Sequence, residues 1–346
     1  MKKVNNMIRS NIGFAVIGLD HGHAWDMTQG LMDAGALLTA VYDPDQEKVA
    51  NFCKKFPQAN AWDEARIFEN VATQLIVSAG IPNQRAALSE RSMRAGKDFF
   101  SAKPPFTTLE QLEHSRKVTA ETGRKFFVFY SERLNVASAL MAGELITTGM
   151  LGEIVQVICL APHRLIPPVR PAWFYNPEQS GGILCDLGSH QFEQILTYGG
   201  MNSARINYSF TANKNNPNHP EFDDFGEVSI SGDNGVSGYL RVDWLTPQGS
   251  SVWGDGRTFV LGTKASLEIR KYVNVATDTS GDHLFLVDAK GEHHLRPDPH
   301  ARIVYFEDLL HDCLERTEQA MTQKHAFYSA ELALKAELEA KRLKIS

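Results

Sequence analysis

GFAVIGLDHGHAW, residues 13–25, is the stretch on which the first third of the chain turns. The apolar run GFAVIGL has the length of a buried strand and the residues from Ala24 onward have helical spacing, so residues 18–23 form the turn between them. Such a turn takes a dinucleotide when glycine lets the backbone bend tightly and approach a pyrophosphate lying over the helix N-terminus. Gly18 supplies the first glycine of that fingerprint, but the next two positions fall on Asp20 and His23, and Gly22 sits one residue off pattern. His21 and His23 open a second alternative, a metal site, although no third ligand stands near them in sequence, and no metal is expected. A carboxylate beside a pyrophosphate is unfavourable unless it turns away, and Asp20 is expected to do so as the N-cap of the helix.

The surrounding segments favour the strand–turn–helix alternative. LLTAVYD, QLIVSAG, DFFSA and KFFVFY are further apolar runs, separated by helical stretches at 46–56, 84–95 and 109–122. Near-continuous apolar strands alternating with helices that stop at Gly96 and Gly123 predict a parallel sheet covered on both faces, a doubly wound α/β domain. Asp43 ends the second strand, where an acid takes the adenine ribose hydroxyls. A carboxylate there repels a 2′-phosphate, so NAD is expected over NADP. The plainer alternative is an aspartate opening a turn before Pro44. Pro82 and Asn83, which follow QLIVSAG, complete the expected cofactor contacts of this domain.

Beyond residue 131 the texture changes. Helical stretches lie at 136–147 and 189–199, and residues 203–296 read as strands separated by glycine, asparagine and proline, which predicts a large, mainly antiparallel open sheet in an α+β domain. The tail from Ala301 to Lys344 is helical by period. From Ala326 it is charged enough to be expected at the surface, and the last helices are candidates to pack back on the first domain. With 346 residues, 43% of them hydrophobic, two domains are expected: a dinucleotide-binding domain at 1–131 and a substrate-binding and oligomerisation domain at 132–346. A net charge of −6 argues against nucleic acid and anionic membrane as partners, leaving a small molecule. Cys53, Cys159, Cys185 and Cys313 form no C-x-x-C pair, as suits reduced thiols in the cytoplasm. MKKVNNMIRS is basic, but the apolar run behind it is too short to span a membrane and has the wrong flanks for a signal peptide.

Two later stretches carry the chemistry: AGKDFFSAKPP, residues 95–105, and WFYNPEQSGGILCDLGSHQ, residues 173–191. Together with the first domain they resemble the Gfo/Idh/MocA oxidoreductase family, which includes glucose–fructose oxidoreductase and inositol dehydrogenase, over nearly the whole chain. The resemblance implies a Rossmann domain and a catalytic group of Lys103, Asp186 and His190, with Gly181 and Gly182 in the glycine loop. It also implies a homodimer or homotetramer formed through the open sheet. The chain departs from the family at Ala102, where a glutamate precedes the lysine, at Ile183, where a third loop glycine stands, and in YSERLN, which lacks the usual asparagine.

The residue types suit that chemistry independently. Oxidising a carbinol sends hydride to a nicotinamide and leaves a hydroxyl proton for a base of near-neutral pKa, a task for His190. Asp186, four residues earlier on a helical turn, shares a face with His190 and can orient its ring or hold a second hydroxyl. Lys103 would stabilise the oxygen as charge develops. The plain alternative for each is a satisfied polar residue, a surface lysine before Pro-Pro or a packed histidine. CLAPHRLIPPVRPAWFY, residues 159–175, offers His163, Arg164, Arg170 and Trp173 as substrate contacts. Arginine forks bind carboxylates and aromatic rings stack on sugar faces; the alternative places both arginines at the surface or an interface. His293, His294 and His300 lie in the turn-rich GEHHLRPDPH and read as a solvated hairpin and its exit.

The expected function is therefore NAD-dependent oxidation of a secondary hydroxyl of a sugar, cyclitol or sugar acid. Two alternatives share these residues. An NAD-dependent glycosidase oxidises its substrate transiently, eliminates the aglycone and returns the hydride, with no net NADH. A non-catalytic NAD- or sugar-sensing protein binds without turnover.

Overall fold

The computed structural model describes residues 12–275, 277–298, 300 and 302–343, and the MKKVNNMIRS segment lies outside them. The chain divides into two compact units. The first comprises the described part of Met1–Phe106 with Glu110–Phe129 and Val304–Phe327. Its sheet contains β1 (Gly13–Ile17), β2 (Leu37–Tyr42), β3 (Asn60–Ala61), β4 (Thr73–Ser78), β5 (Asp98–Ala102) and β6 (Phe126–Phe129), in the order β3-β2-β1-β4-β5-β6. Every pairing is parallel. Every residue of β1, β5 and β6 is buried, as a sheet covered on both faces requires.

The segment Val304–Phe327 completes this unit. Its helix Tyr305–Glu315 brings Phe306 so close to the helix His23–Asp33 that a Cβ on Gly30 would stand 2.2 Å from the Phe306 ring. Arg316 then grips the buried Asp98 carboxylate at 2.6 and 2.9 Å. Phe327 closes an aromatic cluster with Phe106 and Phe126, with centroids 5.9 and 5.1 Å away.

The second unit comprises Thr107–Leu109, Tyr130–Ile303 and the described part of Tyr328–Ser346. Its strands are β7 (Ile154–Pro162), β8 (Ala204–Ala212), β9 (Phe225–Gly232), β10 (Ser237–Asp243), β11 (Arg257–Gly262), β12 (Ser266–Arg270), β13 (His283–Asp288), β14 (Gly291–Leu295) and β15 (Lys341–Arg342). They form one sheet in the order β14-β13-β12-β11-β7-β10-β9-β8-β15, antiparallel except at β7–β10 and β8–β15. Strand β7 at its centre was not expected from the sequence. The buried helix Gly188–Gly199 lies on one face, over Val157, Cys159 and Ala161 of β7 and Leu240 and Val242 of β10. Gly238 allows this approach, since a Cβ there would meet Ile195 at 2.6 Å.

The expectation that the tail lies at the surface from Ala326 is not met. In the helix Gln323–Glu339, Ala326, Phe327, Ala330, Leu332, Ala333, Leu334 and Ala336 are buried. Alanines supply much of that buried set, while two of the helix's charges pair one turn apart, Lys335 to Glu331 at 2.6 Å. Among the described residues no helix is long and apolar enough to cross a membrane.

Candidate functional site

In the first unit the strand order reverses between β1 and β4, and in open α/β sheets the ligand crevice opens outside the carboxyl ends at such a point. Gly18, at φ +89°, is obliged to be glycine there: a Cβ would stand 2.7 Å from the Cα of Gly80, which follows β4. The turn is pinned by His21 N–H to the Ala79 carbonyl at 2.9 Å and Ala79 N–H to the Gly18 carbonyl at 3.2 Å. Asp20 is not the N-cap. Gly22 occupies that position without a side-chain cap bond, and the His23 N–H donates instead to His21 Nδ1 at 3.1 Å. The Asp20 carboxylate turns aside to Lys48 Nζ, 2.6 Å away on the next helix, because an ammonium neutralises the charge that a capping N–H would only solvate. Burial pulls the Lys48 pKa down, but Asp20, Asp43 and Asp45 outweigh this and leave it raised.

Asp43 is buried, and both its oxygens hold backbone: Oδ2 accepts the Leu19 N–H at 2.7 Å and Oδ1 the Asp45 N–H at 2.9 Å. It thus locks the glycine turn onto the end of β2. Gly18, Asp20, Asp43, Lys48, Gly80 and Asn83 line one cleft of about 710 Å³. Pro82 opens the helix Pro82–Arg94 beside it, and Asn83 Oδ1 is buried with no hydrogen-bond partner. A glycine cradle, an acid compensated by a lysine and a buried amide oxygen facing no protein donor fit a dinucleotide. His23 packs against His21 and Phe129 at 4.3 and 5.3 Å between ring centroids, and burial, against the opposing pull of Asp26 and with the help of Lys103 and Arg85, lowers its pKa. Among the described residues no group of three or more His, Cys, Asp or Glu side chains is placed to hold a metal ion.

Lys103 follows β5 and is buried. The residue that holds it, Arg85, was not anticipated. Its fully buried guanidinium donates to the carbonyls of Gly80 at 2.8 Å, Ala102 at 3.0 Å and Pro104 at 2.8 Å, clamping the carbonyls of the residues before and after Lys103 to the end of β4. A signal existed: Pro82, Arg85, Ala86, Ser89 and Met93 recur at helical spacing on one buried face.

In the second unit Gly181 and Gly182 take φ +91° and +82°, which only glycine adopts readily. Gly182 has a further reason, because a Cβ would stand 2.2 Å from Glu337 Oε1. Glu337 reaches in from the tail helix to accept the Leu184 N–H at 2.7 Å, capping the short helix Ile183–Asp186; burial pushes its carboxyl up to about 7. Asp186 ends that helix and His190 begins the next, with the junction at Leu187; the His190 N–H bonds the Leu187 carbonyl at 3.2 Å. The two residues therefore flank a helix junction and do not share one regular turn. His190 is buried, edge-on to Tyr130 at 6.3 Å.

Of the four expected substrate contacts, Arg164 is committed to structure, donating to the carbonyls of Ser250 and, at 2.9 Å, Val252. Arg170 stacks against Phe174, Trp244 and Trp253 at 4.3, 4.8 and 5.3 Å. Trp173 carries a buried indole N–H without a partner, and His163 Nε2 faces Glu132 at 3.4 Å. Sequence reasoning missed Glu132, which is buried with Lys271 against it. At the hairpin β13–β14, His294 bonds His283 at 2.8 Å and His293 bonds Asp288 at 3.1 Å, while His300 is exposed.

Comparison with known proteins yields two family matches. Residues 11–130 match the Gfo/Idh/MocA oxidoreductase family with NAD-binding Rossmann fold, and residues 140–268 match the Gfo/Idh/MocA C-terminal domain. A solved structure of a candidate oxidoreductase from Erwinia carotovora atroseptica is 48% identical, with a TM-score of 0.94, covering 96% of this chain and 100% of its own. D-glucoside 3-dehydrogenase of Escherichia coli is 26% identical over 163 residues, 46% of this chain and 45% of that protein. The scyllo-inositol 2-dehydrogenase (NADP(+)) of Bacillus subtilis is 27% identical over 152 residues, 44% and 42% respectively. The chain thus spans less than half the length of these two curated relatives.

Proposed function

Because the chain belongs to the Gfo/Idh/MocA oxidoreductase family, we propose that it is an NAD-dependent oxidoreductase acting on a secondary hydroxyl of a sugar, cyclitol or sugar acid. The observation that carries this is the crevice at the switch point, where Gly18 is obliged to be glycine and Lys103 is clamped at the neighbouring strand end. The glucoside and inositol dehydrogenases among the relatives support a polyol substrate.

Bound nicotinamide supplies the hydride acceptor. Lys103 Nζ donates to the reacting oxygen and holds the charge that develops on it. The His190 imidazole receives the hydroxyl proton, and Asp186 orients that ring or binds a neighbouring hydroxyl. Arg170, Trp173 and His163 contact the remainder of the substrate. Asp43 and Asp45 beside Lys48 favour NAD, because their carboxylates repel a 2′-phosphate.

Fluorescence titration with NAD and NADP, followed by assay of a sugar, cyclitol and sugar-acid panel, tests the proposal. NAD is expected to bind more tightly than NADP and to be reduced by at least one member of the panel; failure to bind either dinucleotide overturns the assignment. Lys48→Ala exposes the Asp20 charge to the pyrophosphate and should weaken NAD about tenfold, or about 1.4 kcal/mol, with Asp20→Asn in the same background restoring it. Unchanged affinity in Lys48→Ala would mean that the dinucleotide does not feel the pair.

The free thiols of all four cysteines fit a reducing compartment, which supports a cytoplasmic location; finding the native protein in an exported fraction would contradict it. On the face of the second sheet opposite the helix Gly188–Gly199, Ile158, Phe259, Leu261, Phe285 and Val287 line a shallow trough, with Leu261 47% and Val287 46% exposed. This apolar face supports a homodimer or homotetramer. Sedimentation at micromolar concentration should show one of these, and a monomer would refute it.

A further inference from the structure

We propose that Glu132, with Lys271 as its counter-ion, is a positioning residue that sets the proton affinity of His190, and so deepens the function proposed above. Glu132 follows β6 on the short helix Ser131–Leu134, within the YSERLN segment that departs from the family pattern. Four groups from three separate elements converge on its buried carboxylate. Lys271, just beyond β12, makes the ion pair, and both side chains are at most 6% exposed. His163, just beyond β7, lies at 3.4 Å, and Gln191 and Gln194 of the helix Gly188–Gly199 donate at 2.7 and 3.5 Å. His190 is on that same helix, flanked in sequence by the first of these glutamines.

A buried charge is retained only with compensation. Burial pushes the Glu132 pKa up, yet Lys271, His163 and His190 together hold it well below the usual carboxylate range, so the group is ionised. The other titratable groups beside the Glu132 carboxylate are Tyr272 and Cys159, both pushed up by burial and so neutral, and the Arg133–Glu193 pair, which is internally compensated; His190 itself also faces Tyr130, at 6.3 Å between ring centroids, and Asp186 lies across the helix junction just before it. The field at His190 from this cluster therefore comes from Glu132, partly offset by Lys271. By reciprocity, the attraction that favours ionised Glu132 favours the imidazolium form of His190, which makes it a stronger base toward a hydroxyl proton. The glutamines also tie the helix that carries His190 to the same carboxylate, coupling ring placement to the charge.

Glu132→Gln removes the negative charge and keeps the shape, while Lys271 remains. Loss of the carboxylate, which leaves the Lys271 charge uncompensated, disfavours imidazolium, so the sign is downward: the pKa of His190 falls. The acidic limb of the pH profile for alcohol oxidation should move to lower pH by at least about half a unit, with a lower plateau because the base is weaker. NAD affinity should be unchanged. Since Glu132→Gln leaves a buried lysine unpaired, Glu132→Gln with Lys271→Met is the companion that keeps the fold. It should remove both charges, restore thermal stability and still leave the limb displaced from wild type. The same shift is read without turnover by NMR titration of the His190 ring protons, so an inactive wild type would refute the oxidoreductase assignment without hiding the His190 pKa. An unmoved His190 titration in both variants, with only the melting temperature changed, would show the pair to be structural and overturn the proposal.

Discussion

His190→Ala lowers turnover by about 10²–10⁴-fold while NAD affinity stays within a few-fold, the range expected when a positioned general base is lost. The imidazole sits in the helix Gly188–Gly199 of the second compact unit, while the residues that line the nucleotide crevice around Gly18 belong to the first. If His190 is the proposed base, its truncation would therefore remove proton transfer and leave cofactor binding. Steady-state kinetics against the best substrate, paired with an NAD titration, decide the matter; an equal loss in both would make His190 a packing residue.

Arg85→Ala should destabilise the protein by about 3 kcal/mol or more and at the same time reduce turnover. Hydrogen bonds to charged donors are worth roughly 1.5–3 kcal/mol each, and three buried carbonyls, of Gly80, Ala102 and Pro104, lose theirs together. Removing a buried cation recovers some desolvation energy, which keeps the expected loss below the sum. The second effect follows from the position of those carbonyls, two of which bracket Lys103. Without the clamp the lysine is free to leave its productive orientation. Denaturant unfolding measures the first effect and kcat the second. If stability falls while kcat per folded molecule is retained, Arg85 braces the sheet and has no hold on Lys103.

Much of the fold was legible because a parallel sheet writes itself locally: GFAVI and FFVF are apolar nearly throughout, TQLIVS and DFFSA carry apolar centres, and helices separate them. Strand β7 was not legible. Its burial alternates, but IVQVICLAP is apolar almost throughout, and its partners in β10 lie 81 positions later, so nothing in its neighbourhood marks it as central. The charged residues failed for a related reason. Periodicity assigns a lone charge to solvent, yet Glu132 is buried by a lysine 139 residues away and Glu337 by a backbone N–H 153 residues away. Asp20 shows the same rule at short range: a local capping preference yielded to Lys48, 28 residues on. Arg164 looked like a substrate fork and is consumed by loop carbonyls that no spacing rule pairs with it. The Lys103, Asp186 and His190 group is implied by resemblance alone, and the surroundings of each residue are read only from coordinates.

The contacts of Val304–Phe327 bear on how the molecule is made. Gly30 accommodates Phe306, Asp98 waits for Arg316, and the edge strand β6 receives Gln323 on both the N–H and the carbonyl of Phe126. A ribosome delivers the sheet first and these closing pieces only after the whole of the intervening unit. Until then the nascent sheet carries an open apolar flank and an unpaired buried acid, a state prone to chaperone capture and to aggregation if elongation stalls. Residues 1–131 expressed alone would carry the same wound permanently, whereas adding 304–327 in trans, or by a linker, would heal it.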